Sequence, residues 1–179
     1  MSHWLLKFAL CAVALALPVT AARFPFDPSR GLVELEGSVN GFFTGRFGID
    51  TGAEGFYLDE QFARAAGLEL SEPEPGRVVR GLDGSSEIRR ATLRSFAVGD
   101  ERLYNLGVDV VDLGALSHSA AAPPDGLVGQ DVLRRFYLTI DYPQRRLDLF
   151  SHEPDHSSES LRVVAFDKSQ PLIYLDVSL

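Results

Sequence analysis

The 179-residue chain has almost no cysteine, no excess of positive charge and no long apolar run. Its one cysteine, Cys11, lies near the N-terminus, so the rest of the chain can form no disulfide and offers no thiolate nucleophile or metal ligand. The net charge of −8 argues against a nucleic-acid partner, because phosphate contacts require clustered lysine and arginine. The apolar run at residues 8–17 is well short of the ~20 residues of a permanent membrane span.

The N-terminus has the order of a secretory signal peptide. Lys7 precedes the apolar run, and small residues from Pro18 to Ala22 follow it. We therefore expect residues 1–22 to be a signal peptide that is cleaved after Ala21 or Ala22, which leaves no stable membrane span. The mature protein would then be periplasmic or secreted, and an uncleaved N-terminal anchor is the alternative.

Short apolar strands and frequent turns predict an all-β fold, a closed barrel or sandwich with one or two short helices. Asn40-Gly41 is a strong hairpin signal, because both residues tolerate positive φ. The returning strand runs directly into an aspartate and a glycine turn, and we expect its aromatic residues Phe42, Phe43 and Phe47 to lie in the core.

Two helices and a closing hairpin complete the predicted domain, which spans residues 23–150. Asp59 is a good N-cap for a helix that ends at Gly67, and a second helix is expected around residues 131–136. Residues 137–142 and 146–150 read as a hairpin. Residues 151–162 have a linker composition. Residues 163–179 predict further strands, which either add to a sheet edge or open a second domain that is truncated.

Two motifs point to chemistry. Asp50-Thr51-Gly52-Ala53 follows the apolar strand that ends at Ile49, and a carboxylate at a glycine turn suits acid–base catalysis. Farther along, an apolar–apolar–Gly segment leads into the second helix; it consists of Leu127, Val128 and Gly129.

On these two motifs, the chain resembles the retropepsin-like aspartic proteases, in particular their bacterial exported members, over about residues 31–150. The resemblance implies a retropepsin-like closed β-barrel half and no metal or organic cofactor. It also implies site residues, which are catalytic Asp50, the supporting Thr51, Gly52 and Ala53, a substrate-covering flap at Gly81, Leu82, Asp83 and Gly84, and Leu127, Val128 and Gly129 packed behind the active site.

Peptide hydrolysis of this kind uses a water held between two carboxylates that share one proton. The chain contains one Asp-Thr-Gly, and Asp141 has no following glycine, so we expect Asp141 to be structural. The second carboxylate would come from a second copy in a homodimer or from a missing second domain. Glu54 departs from the small hydroxyl residue common in the family and is expected to alter hydrogen bonding around the turn.

The resulting hypothesis is an aspartic endopeptidase that acts on polypeptides. The alternative is a catalytically inactive, protease-like β-module that binds extended peptides by strand addition. A metal site is not predicted, because Pro154 separates His152 from His156 and the sequence offers no third ligand beside them.

Overall fold

The computed structural model describes residues 22–81, 84–116 and 122–153. The predicted signal peptide up to residue 21, most of the predicted linker and the predicted C-terminal strands lie outside these residues. The strands are β1 (Ala22–Pro25), β2 (Glu34–Val39), β3 (Phe43–Ile49), β4 (Tyr57–Asp59), β5 (Val78–Arg80), β6 (Ser85–Glu87), β7 (Arg89–Val98), β8 (Glu101–Val111), β9 (Gly126–Val128), β10 (Tyr137–Asp141) and β11 (Arg146–Phe150). The helices are α1 (Glu60–Ala65), α2 (Leu113–Leu116) and α3 (Gln130–Leu133).

Six strands close into a barrel in the order β2-β3-β9-β4-β8-β7. A three-stranded sheet, β1-β11-β10, and a two-stranded hairpin, β5-β6, flank this barrel. The all-β barrel with few short helices is therefore confirmed. None of the helices in the described ranges has the length and apolar character needed to cross a bilayer.

The β2–β3 hairpin turns at the predicted dipeptide. Asn40 has φ 53° and Gly41 has φ 79°, the pair of positive values that a type I′ turn requires. The expectation of a fully buried aromatic strand was wrong in part, because Phe42 is 83% exposed and Phe43 39%. Phe42 lies in the turn, where no neighbouring strand covers it, and Phe43 occupies the first position of β3 beside that turn.

Phe47 is the centre of the barrel core and is completely buried. Its ring meets those of Phe56, Phe62 and Phe96 edge-on, at centroid distances of 5.9, 5.9 and 4.9 Å. Edge-to-face pairs of this kind each add about 0.5–1.5 kcal/mol beyond their buried area. The strand that delivers Asp50 is thus fixed by aromatic packing three residues before the aspartate.

The flanking sheet pairs the first strand of the described chain with the last one. β11 pairs antiparallel with both β1 and β10, and Leu147 and Leu149 on β11 are buried. At the end of β10, the Asp141 carboxylate accepts the Gln144 N–H at 2.9 Å and so stabilises the turn to β11. Asp141 is structural, as predicted. The pairing of β1 with β11 was not predicted.

The Asp59 carboxylate binds the starts of both α1 and α2. One oxygen of its carboxylate accepts the N–H groups of Gln61 and Phe62 as the predicted N-cap, and Gly67 beyond the helix has φ 68°. The other oxygen accepts the N–H of Leu113 at 3.3 Å, which ties the start of α2 to the start of α1. The sequence did not predict α2.

Candidate active site

The turn at residues 50–56 joins β3 to β4 and is called the catalytic turn after the role expected of Asp50. β9 lies between these two strands, parallel to β3 and antiparallel to β4. The Asp50 N–H donates to the Val128 carbonyl at 3.1 Å, so the first residue of the turn is fixed to the last residue of β9. The two sequence motifs therefore meet in space.

Within the turn, Asp50 is half-buried and its carboxylate is held by its own backbone surroundings. The Gly52 N–H donates to Asp50 Oδ1 at 2.9 Å, and the Ala53 N–H donates to the Asp50 carbonyl at 3.2 Å. A Cβ on Gly52 would lie 3.3 Å from that carboxylate oxygen, which is tighter than usual for side chains. The turn thus holds the Asp50 carboxylate in one orientation, close against the backbone of Gly52.

Gly129 lies directly beneath the turn, where only glycine fits. A Cβ at this position would overlap the Gly55 carbonyl oxygen and lie 2.7 Å from the Ala53 carbonyl oxygen. Backbone atoms on both sides cannot move aside as a flexible side chain could. This close approach explains why the apolar–apolar–Gly motif ends in glycine.

The first turn of α3 fastens the other half of the catalytic turn. The N–H groups of Gln130 and Asp131 donate to the carbonyls of Ala53 and Glu54 at 2.9 and 3.1 Å. These helix N-terminal donors have no partner within the helix, so the catalytic turn supplies their acceptors. The Gln130 side chain adds a further bond, from Nε2 to the Thr51 carbonyl at 2.9 Å. Sequence reasoning missed both residues, although they directly follow the recognised glycine.

Asp131 and Tyr57 have perturbed titration beside the turn. Partial burial raises the pKa of the Asp131 carboxyl, and hydrogen bonds from the N–H groups of Phe56 and Val132 offset only part of this effect. Burial also raises the pKa of the Tyr57 phenol, helped by the charges of Asp109 and Glu54. The Tyr57 phenol therefore stays neutral at physiological pH.

The predicted flap is the β5–β6 hairpin, closed by the Gly81 N–H donating to the Gly84 carbonyl at 2.9 Å. Leu82 and Asp83, at its predicted tip, lie outside the described residues. Gly81 and Gly84 approach the backbone of α2 so closely that a Cβ on either would overlap a carbonyl oxygen, of Leu116 and Ala115 respectively.

A second hydrophobic cluster connects this flap to β4 and β9. Ile88, Val111 and Leu113 form its buried centre. Partly buried residues from the flap, α2, β4 and β9 pack against that centre; they are Val79, Leu116, Tyr57 and Leu127. Of the predicted site residues, the structure thus brings the catalytic turn together with Val128 and Gly129, whereas the flap glycines contact α2.

Arg46 holds the loop before β9 and was also missed. Its guanidinium pairs with Glu34 at 2.9 Å and donates to the Pro123 carbonyl at 3.3 Å. Its backbone N–H donates to the Asp125 carboxylate at 2.8 Å.

In residues 22–81, 84–116 and 122–153, no cluster of three or more histidine, cysteine or acidic side chains could hold a metal ion.

Comparison with known proteins gives this arrangement its family. The sequence profile of the family described as aspartyl protease matches residues 35–132, which is more than half of the chain and includes both motifs. The chain therefore belongs to the aspartyl protease family. No curated protein sequence matches it.

Comparison with a solved structure shows that the chain has the retropepsin-like fold. A retropepsin-like aspartic protease from Rickettsia conorii is 24% identical, covers 74% of this chain and 100% of its own, and superposes with a TM-score of 0.55. The retroviral protease-like domain of Ddi1 from Leishmania major is 16% identical and covers 66% of this chain and 91% of its own, with a TM-score of 0.46. EIAV protease with the inhibitor HBY-793 is 16% identical and covers 56% and 84%, with a TM-score of 0.42.

Proposed function

We propose that the protein is an aspartic endopeptidase in which Asp50 supplies one of two carboxylates that activate a water molecule. The observation that carries this proposal is the Asp50 carboxylate itself, which is half-buried and oriented by the Gly52 N–H at 2.9 Å. It lies in the turn that the aspartyl protease profile spans.

The chemistry requires a second carboxylate facing the first. The ionised carboxylate takes a proton from the water, whose oxygen attacks the peptide carbonyl carbon, while the protonated carboxylate donates to the carbonyl oxygen. The carboxyl that took the proton from water then protonates the amide nitrogen, the C–N bond breaks, and the other carboxylate recovers its proton from a hydroxyl of the diol. Because the sequence has one Asp-Thr-Gly, the partner carboxylate comes from a second copy across a two-fold axis or from a second domain.

The exposure of the turn favours such an encounter. Thr51 and Gly52 are exposed at the tip of the turn, whereas the residues beneath it are buried. A facing turn can therefore reach Asp50 without rearranging the barrel. We further propose that residues 1–22 direct export, so that the enzyme acts in the periplasm or outside the cell.

Cleavage of an unfolded polypeptide such as casein, followed between pH 4 and 7, tests the role of Asp50. We expect the mature chain to cleave and the Asp50→Asn variant to lose activity by a factor of about 1,000 or more, since general acid–base catalysis alone contributes 10²–10⁴. Asp141→Asn is the matched control: it makes the same chemical change at a turn-capping carboxylate and should keep its activity. Equal activity in the parent and Asp50→Asn would remove Asp50 from the mechanism.

Sedimentation velocity at the assay concentration tests the shared site. Proteolytic activity should follow the dimer fraction, rising as the chain is concentrated and falling as it is diluted. A strictly monomeric, fully active chain would contradict a site shared between copies. A folded chain that binds extended peptides without cutting them at any concentration would instead support the inactive peptide-binding module.

A further inference from the structure

Gln130 is a buried polar residue whose side chain reaches the catalytic turn from outside it. The residue is buried, with a relative exposure of 4%. Buried amides need hydrogen-bond partners, and Nε2 of Gln130 donates at 2.9 Å to the carbonyl of Thr51, 79 positions away in sequence. The backbone N–H of the same residue separately binds the Ala53 carbonyl.

The Thr51 carbonyl belongs to the peptide unit that also holds the catalytic carboxylate. The C=O of Thr51 and the N–H of Gly52 are the two ends of one trans peptide, which point in opposite directions. The carbonyl end accepts from Gln130, and the N–H end donates to Asp50 Oδ1 at 2.9 Å. A continuous chain of two hydrogen bonds therefore runs from the Gln130 amide through one peptide to the carboxylate.

This peptide is the one in the turn that can flip most easily. The Ala53 N–H to Asp50 C=O bond makes residues 50–53 a β-turn in which Thr51 and Gly52 are central. Type I and type II turns differ by a flip of the central peptide, and glycine at the third position makes the flipped form accessible. After a flip, the Gly52 N–H would point away from Asp50 and the Thr51 carbonyl would point toward the carboxylate.

We propose that Gln130 is a positioning residue that locks the Thr51–Gly52 peptide so that its N–H always faces the Asp50 carboxylate. The bond to the carbonyl disfavours the flip, and it also polarises the peptide, which strengthens the bond at the other end. Gln130 touches neither water nor substrate in this scheme. Its catalytic part rests on the proposed function, whereas the hydrogen-bond chain itself does not.

The Gln130→Met variant removes the donor while keeping a flexible side chain of similar length. The backbone bond from residue 130 to Ala53 remains, so α3 stays attached to the turn. Val132→Ala is the matched control, because it loosens the same helix at a buried residue without touching the peptide. Circular dichroism and thermal unfolding establish that both variants fold. If Gln130→Met does not fold, Gln130→Leu takes its place, since leucine also lacks a donor and is a good helix former.

Two-dimensional NMR of the ¹⁵N-labelled chain reads the hydrogen-bond chain directly and requires no proteolysis. We expect the Gly52 amide proton to move upfield and to exchange faster with solvent in Gln130→Met, and to stay unchanged in Val132→Ala. An unchanged Gly52 amide in Gln130→Met overturns the proposal. An equal change in both variants also overturns it, because general loosening of α3 would then be the cause.

Steady-state kinetics on a peptide substrate tests the catalytic consequence. Loss of the Gln130 donor weakens the bond from the Gly52 N–H to the Asp50 carboxylate. We therefore expect kcat of Gln130→Met to fall about tenfold or more while KM stays within about twofold. Val132→Ala should keep its kcat. A raised KM with an unchanged kcat would show that Gln130 shapes the substrate groove instead. If the parent chain proves inactive, the proposed function fails while the NMR result still decides whether the lock exists.

Discussion

The catalytic turn and the flap hairpin are both short glycine-containing loops, but they are attached to the rest of the molecule differently. The turn is held on several sides: β9 binds Asp50, α3 binds Ala53 and Glu54, and Gln130 binds Thr51. The flap is held mainly along one side, where Gly81 and Gly84 lie against α2.

Besides the glycine contacts and the packing of Val79 against the second hydrophobic cluster, the Asp112 N–H donates to Ser86 Oγ at 2.9 Å and attaches the flap to the residues that precede α2. The difference suits their expected tasks. A carboxylate must be held within a fraction of an ångström to act, whereas a flap must part from its support to admit a polypeptide. We therefore expect glycine to make a permanent contact in the turn and a separable contact in the flap.

Gly129→Ala should have the largest effect and tests the permanent contact. The added methyl would overlap the Gly55 carbonyl, and backbone on both sides leaves it no room. We expect a loss of stability at or above the ~3 kcal/mol upper end that is usual for overpacking. For a chain of this size, this corresponds to a fall in Tm of roughly 6–12 °C, measured by calorimetry.

Gly107→Ala is the control for this substitution, because a Cβ there meets no atom within 4 Å. Its Tm should match that of the parent or rise slightly, since alanine restricts the unfolded chain. If Gly129→Ala unfolds at the parent temperature as well, the turn is more adaptable than its contacts indicate, and the contrast with the flap disappears.

Gly84→Ala should have an intermediate effect that appears mainly in substrate binding. Its methyl would overlap the Ala115 carbonyl, but the hairpin can tilt away from α2 to relieve the overlap. We expect a stability loss of about 1 kcal/mol, smaller than that of Gly129→Ala, and a KM raised severalfold with a smaller change in kcat. Calorimetry and peptide kinetics measure the two effects. A stability loss equal to that of Gly129→Ala would show that the flap is as firmly fixed as the turn.

Local signals in the sequence predicted the parts of this comparison that depend on neighbouring residues. Asn40-Gly41 specifies its turn through its own φ preferences, and Asp59 caps α1 with N–H groups two and three residues ahead. In each case, the residues that determine the structure are contiguous, so a single sequence contains the whole reason.

Contacts between distant segments could not be predicted in this way. The insertion of β9 between β3 and β4 follows from barrel closure, and the resemblance to a family implied only that Leu127, Val128 and Gly129 pack behind the site. Gln130 is an unremarkable polar residue in the sequence, and its role depends on a carbonyl 79 positions away. The exposure of Phe42 likewise depends on how the barrel ends rather than on the apolar pattern.

Asp131→Asn should have the smallest effect, and its sign depends on pH. Partial burial raises the folded-state pKa of this carboxyl above the ordinary value of 3.8, so the folded protein holds the proton more tightly than the unfolded chain. Ionisation at neutral pH therefore opposes folding, and this cost disappears as pH falls through the raised pKa. Asparagine keeps an oxygen that can accept the Phe56 N–H but has no charge.

We expect Asp131→Asn to unfold at a slightly higher temperature than the parent at pH 7, by less than the ~2–4 °C that corresponds to 1 kcal/mol in a chain of this size. The gap should close as the pH approaches 4, as followed by thermal unfolding across that range. Asp100→Asn, at an exposed turn, removes the same charge from a chain of net charge −8 and so controls for general repulsion. A lower Tm for Asp131→Asn at pH 7 would mean that the N–H groups of Phe56 and Val132 stabilise the charged carboxylate by more than burial destabilises it.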